Sequence, residues 1–208
     1  MKRILFNDKY DLTKAVLEGR KTMTRRLVHG NMLTRANDYV QKVHGTGHDF
    51  LDYLLEHSLF KAGEVVAVAQ AYRDAINPLD WINTLIYKNE PGWTNKMFVG
   101  ADLMPHQIFI NAVRVERIQD ISDEDCLREG IEEDSPYYWA PVNKSLPNWR
   151  KTEEGVSDMY PNDRDGKVYP HFWDSPKKAF AALVDKVSGK GTWEKNPFCF
   201  VYEFELVK

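Results

Sequence analysis

The stretch from Phe198 to Val207 constrains the fold more than any other part of the chain. Phe198, Phe200, Tyr202, Phe204 and Leu206 alternate with Cys199, Val201, Glu203, Glu205 and Val207. Successive side chains of a strand point to opposite faces, so this pattern reads as a strand with one continuous apolar face. A sheet must therefore be built from the rest of the chain. Gln107–Ile118 supplies a second long strand, with Phe109, Val113 and Val115 on one face. Thr22–Val28 is β-prone, and Ile4–Phe6 and Glu64–Tyr72 read as further strands, the latter after the turn Lys61-Ala62-Gly63.

Helical signals fall between these strands. Asn7 and Asp8 are cap candidates ahead of Leu12, Ala15 and Val16 at helical spacing, and Gly19 is the stop. Leu33–Leu59 reads as mainly helical, with Phe50, Leu51, Leu54 and Leu55 on one face and Gly45 and Gly47 as interruptions. Ser122 caps a short helix that runs to Glu129 and ends at Gly130. Ser175-Pro176 opens a helix lined by Phe180, Leu183, Val184 and Val187, and Gly189 and Gly191 end it. Residues 74–105 read as irregular, and the proline-rich residues 132–170 as a long loop or insertion. Strands with interspersed helices and no regular βαβ alternation predict an α+β domain, a mixed sheet or small β-barrel with flanking helices. The doubly wound nucleotide-binding fold is not expected.

With 208 residues, the chain can form one domain with a substantial core. No apolar run approaches the ~20 residues of a membrane-spanning helix. The opening segment MKRILFNDKYD is too polar for a secretory signal, which predicts a cytoplasmic protein with no membrane partner. The two cysteines, Cys126 and Cys199, sit inside apolar-patterned elements and read as small buried hydrophobes. His44 and His48 have i, i+4 spacing, but two glycines lie between them and no third ligand is near, so neither a metal nor another cofactor is expected. Phosphate-binding glycine loops and a Gly-x-Ser-x-Gly elbow are both missing.

Charge is the more informative signal. Lys and Arg total 28 against 31 Asp and Glu, a net charge of −3, so overall charge would not draw this chain to a polyanion. Any such binding must be local. Arg20, Lys21, Arg25 and Arg26 lie in an acid-free stretch and form a candidate nucleic-acid or nucleotide contact. They read equally well as a solvated turn. Among the tryptophans, Trp173 and Trp193 flank the last helix and are expected in the core. Trp139 and Trp149, near Tyr137 and Tyr138, are candidates for base stacking.

Four stretches in order, residues 4–28, 61–72, 110–131 and 180–207, resemble the ASCH domain of the PUA-like superfamily. The resemblance rests on Gly-Arg-Lys-Thr-x-Thr-x-Arg after a short helix, a Gly-Glu turn before a strand, and Asp-Ile-Ser before a second short helix. An aromatic last strand following Trp and Asn-Pro completes it. It implies a small β-barrel with flanking helices and a cleft for RNA or a modified nucleoside. Residues 29–60, 74–105 and 132–170 would be insertions in a single domain spanning 1–208, as in larger phage- and prophage-associated members. Some members are amidohydrolases that deacetylate acetylcytidine, and by position their catalytic Lys, Thr and Glu become Lys21, Thr24 and Glu129.

The residue chemistry is compatible with that role. Thr24 needs a base to attack a carbonyl, and Lys21 could serve if burial or neighbouring cations lowered its pKa. Glu129 could orient the lysine or pass a proton to the leaving amine. In a regular strand, residues 21 and 24 would face opposite ways, so convergence requires a bend around Gly19–Thr22. Three functions stay open: an RNA- or modified-nucleotide-binding module, an amidohydrolase of acylated nucleosides, and a protein-interaction module carried by the insertions. A Lys21–Glu129 approach close enough for an ion pair or a water bridge is expected, with Thr24 lining the same wall.

Overall fold

In the computed structural model, residues 1–77, 79–134, 137–140 and 173–207 are described. The aromatic strand, β7 (Phe198–Leu206), lies inside the sheet rather than at its edge. The other elements are β1 (Arg3–Ile4), α1 (Leu12–Leu17), β2 (Met23–Leu27), α2 (Gly30–Val43), α3 (Gly47–Glu56), β3 (Val65–Val68), α4 (Tyr72–Ala75) and α5 (Trp81–Tyr87). They continue through β4 (Gln107–Arg117), α6 (Asp123–Arg128), β5 (Glu132–Asp134), β6 (Tyr137–Trp139), α7 (Pro176–Ser188) and α8 (Thr192–Lys195).

Five strands form one mixed sheet in the order β1-β3-β4-β7-β2. β1 runs parallel to β3, and every other neighbouring pair is antiparallel. A register shift between Ile110 and Ala112 lets β4 bend while remaining paired to β7. β5 and β6 make a separate small hairpin.

The sheet does not close into a barrel, contrary to one of the two architectures expected. β1 holds only two residues, and after it Asn7 begins a tight turn over Asp8–Tyr10. Too little strand is left to form a ladder with β2. The two edges instead meet through a side chain, with an Arg26 Nη2 N–H donating to the Leu5 carbonyl.

Other boundaries also moved. β1 ends two residues before Phe6, and β3 stops at Val68, with Tyr72 opening α4 rather than ending a strand. The break between α2 and α3 falls at His44, with φ of 51°, and at Thr46, whose side chain caps α3 in a reciprocal capping box with Asp49. Gly47 is helical. Residues 74–105, read as irregular, contain α5 and several short helical turns. β5 and β6 occupy the start of the expected 132–170 loop, most of which lies outside the described residues, as do Trp149 and the side chain of Trp139.

Alternation along β3 divides the interior. Val66 and Val68 join the main core with Ile108, Ile110, Tyr202 and Phe204. Ala67 belongs to a second cluster with Tyr72, Val99 and Met104. Trp173 and Trp193 pack on the main core, and Phe50 of α3 meets Phe198 at 5.5 Å. Among the described residues, no helix is long and apolar enough to cross a membrane.

Candidate functional site

The path of the chain after α1 decides where Lys21 goes. Gly19, at φ of 71°, ends the helix in a conformation that a residue with a Cβ rarely adopts. The Lys21 amide then donates back to the Ala15 carbonyl at 3.0 Å, folding the turn beneath α1. The next amide, Thr22, donates to the Arg128 carbonyl at 3.0 Å, which ties the turn to the end of α6. Strand pairing starts only at Met23, opposite Glu203. Lys21 therefore precedes the strand, and the opposite-face constraint on residues 21 and 24 does not apply. Both side chains line one cleft.

α6 brings the carboxylate. Ser122 caps the helix by accepting from the Asp125 amide at 3.1 Å, and Glu129 is its C-terminal cap. Gly130, at φ of 98°, turns the chain away immediately afterwards. The Lys21 ammonium donates to Glu129 Oε2 at 2.5 Å and to the Glu129 carbonyl at 2.7 Å. The two side chains are 2% and 5% exposed, so this is a desolvated ion pair. Arg25 Nη1 donates to the other carboxylate oxygen at 3.2 Å. Burial holds the Lys21 amine below its ordinary pKa; Glu129 opposes that shift, while Arg26 and Arg25 add to it.

The basic cluster does not form one surface. Arg20 pairs with Glu18 at 2.6 Å and Glu132 at 3.0 Å. Arg25 is held by Glu116 at 2.6 Å and Asp125 at 3.0 Å as well as by Glu129, and its guanidinium carbon lies 5.9 Å from the Phe180 ring centre. Arg114 and Arg128 extend that network to Glu203. Arg26 lies over Phe6 at 5.6 Å and bonds only the Leu5 carbonyl among the described residues; its Nε is buried without a partner.

The cleft occupies about 510 Å³ along the seam between the residues after β1 and strand β2. That falls within the roughly 300–1,000 Å³ of small-molecule sites. Its floor carries Lys21, Thr24 and Glu129; Leu12, Ile118, Phe180, Leu183 and Val184 make an apolar wall. Lys96 stands at the rim, paired with Asp8 at 2.6 Å and donating to the Phe6 carbonyl. The Thr24 side chain is buried but makes no hydrogen bond among the described residues.

Sequence reading missed Lys96, Asp8, Glu116 and Asp125. Asp8 was seen only as a cap, Lys96 sat in a segment read as irregular, and the acids show no motif; long-range pairing alone marks them. His48 lies 2.8 Å from Asp52 on the surface of α3. Among the described residues, no group of three or more His, Cys, Asp or Glu could hold a metal ion.

Chemically, the floor can present a lysine amine under pressure to lose its proton, a hydroxyl free to react, and a carboxylate that orients the amine. In comparisons with known proteins, no family model, no curated protein and no solved structure matches the chain.

Proposed function

We propose that the cleft is the active site of an amidohydrolase, with Thr24 as nucleophile, Lys21 as general base and Glu129 as the group that orients Lys21. The observation that carries this reading is the buried Lys21–Glu129 pair opening, together with Thr24, onto one cleft. A buried ion pair contributes little to stability compared with apolar residues of the same volume, so its retention at a cleft favours a functional use.

The reaction runs in two balanced halves. Thr24 Oγ1 attacks the amide carbon while its proton passes to the neutral Lys21 amine. When the C–N bond breaks, the leaving amine takes that proton from Lys21, and an acyl ester remains on Thr24. Water then attacks the ester, giving a proton to Lys21, which returns it to Thr24 Oγ1 as the carboxylic acid leaves. Glu129, held from the far side by Arg25, keeps the lysine amine aimed at the cleft throughout.

The size of the cleft, with one polar floor and one apolar wall, suits a compact acylated amine such as an N-acylated cytidine. This matches what the ASCH resemblance implies, along with a PUA-like origin for the sheet. A role for Arg20, Lys21, Arg25 and Arg26 as an RNA-gripping surface has less support, because carboxylates already engage the first three.

The test is turnover of a panel of N-acylated cytidines and simple N-acyl amines by the full chain. Lys21→Met and Thr24→Val are expected to lower kcat/KM by at least ~100-fold, the usual contribution of a base or nucleophile, while Thr24→Ser retains measurable rate. Hydrolysis that survives Lys21→Met would remove the mechanism, and no hydrolysis of any amide would remove the reaction.

A further inference from the structure

Four cations line the cleft, and three have carboxylate partners. Lys21 is paired with Glu129, Arg25 with Glu116, Asp125 and Glu129, and Lys96 with Asp8. Arg26 is the exception among the described residues. A guanidinium carries five N–H donors in a planar fork, and here a single Nη2 bond, to the Leu5 carbonyl, is satisfied. Nε is buried with no acceptor, and Nη1 makes no hydrogen bond among the described residues. Buried polar atoms in folded proteins almost always have partners, so an orphaned donor on a charged side chain in a cleft marks a place a ligand completes.

The surroundings narrow the kind of ligand. The Phe6 ring, 5.6 Å from the guanidinium carbon, and the bond to the Leu5 carbonyl restrict where the fork can lie. Alternation along β2 puts Arg26 on the same face as Thr24, two residues away. Nε–H and the second Nη2 N–H lie on the same side of the guanidinium, and such a coplanar donor pair matches an oxyanion with two acceptor oxygens better than it matches a neutral carbonyl. Burial also holds the Arg26 pKa below its ordinary value, with Glu129 only partly opposing that shift, a cost that a bound anion would offset.

We propose that Arg26 is an anion anchor, so that the molecule bound in this cleft carries a carboxylate or phosphate group at one end while its other end reaches Thr24. This rests on the cleft being the ligand site put forward above, and it does not depend on amide hydrolysis. It deepens that reading by naming the substrate as an acylated amine with an acidic group, a nucleotide or an acyl amino acid rather than a bare nucleoside.

The buried Arg26 Nε–H offers a direct readout, because such a proton exchanges slowly and gives its own signal in the ¹⁵N–¹H spectrum of the full chain. The signal is assigned by its loss in Arg26→Lys. Inorganic phosphate and acetate are titrated separately at ionic strength held constant with chloride. Saturable movement of this signal by either anion, with surface arginines such as Arg73 unaffected, supports the anchor, and the anion that moves it names the group. A second arm compares cytidine 5′-monophosphate with cytidine, and N-acetylglycine with N-acetylglycinamide, by calorimetry.

At least one anionic member is expected to bind about tenfold tighter than its neutral counterpart, the gain of one charge-assisted bond. That ratio is expected to fall to about one in Arg26→Gln. Because Arg26 also fastens the seam, the melting temperatures of both variants are measured first. Arg26→Lys keeps the charge and serves if Arg26→Gln does not fold, its ratio then falling without reaching one. Equal response of all arginine signals, or a ratio of one in the wild type, overturns the anchor. Anion binding without amide turnover would leave the anchor standing and remove the hydrolase. Turnover without anion response would do the reverse.

Discussion

Lys21 is a charged side chain in a place that disfavours charge, and its titration follows from that. Burial lowers its pKa below the usual lysine value of 10.5, with Glu129 opposing and Arg26 and Arg25 reinforcing the shift. In the unfolded chain the amine keeps its proton up to about 10.4. In the window between the lowered native value and that limit, the unfolded state binds more protons, so the contribution of Lys21 to stability rises with pH. Urea midpoints of the wild type and Lys21→Met, measured across alkaline pH, are expected to diverge in favour of the wild type until the window closes. A pH-independent difference would mean that the amine is not shifted. The same depressed value would let a neutral amine act as a base at lower pH than a free lysine could. The neighbouring cations were visible in the sequence, but the burial that dominates the shift is a property of the folded chain. Lys21 and Thr24 were legible as a motif; the partners of Arg25 were not, since Glu116 and Asp125 look like ordinary surface acids until the strand and helix are placed.

Elements with local signals were legible, and those set by tertiary pairing were not. The period-2 alternation of β7, the Ser122 cap of α6 and the Ser175-Pro176 start of α7 each carry their own chemistry. Ile4–Phe6 also reads as a strand, but pairing with β3 takes only Arg3–Ile4, and the openness of the sheet depends on how little of β1 remains for pairing. α6 matters most to the site, since its end carries Glu129. Ser122→Ala removes the acceptor of the Asp125 amide and is expected to cost ~1 kcal/mol. Gly130→Ala is expected to cost about 1–2 kcal/mol through backbone strain at φ of 98°. Packing adds nothing there, because the added carbon would meet the Lys21 Cβ at an ordinary 3.7 Å. Chemical denaturation of both variants checks the two values, and a loss under 0.3 kcal/mol for both would show that α6 does not need its ends fixed.

For the whole molecule, the two thiols report on cooperativity. Cys126 in α6 and Cys199 in β7 are buried and free, and burial pushes both thiols up to about 12. Neither can form thiolate at neutral pH while the fold is closed, so both read as packing residues. Labelling with a thiol-specific disulfide reagent at pH 8 is expected to be slow for both. Cys199, inside the sheet, should react at the rate of global unfolding. Faster reaction at Cys126 alone would identify α6 as a unit that opens independently of the sheet.

The placement of β7 between β4 and β2 has a consequence for how the chain is made. Thr24 is paired with Tyr202, so the wall of the cleft that carries the hydroxyl is completed by residues synthesised almost the whole chain later. At ~5–20 residues per second, β2 emerges from the ribosome on the order of ten seconds or more before its partner exists. During that interval both β2 and one side of β4 are unpaired edges, and Lys21, Arg25 and Arg26 sit on or beside the first of them. Clustered positive charge on a waiting edge discourages pairing with a second nascent chain. The cations that later surround the cleft would thus first act as a guard against misassembly.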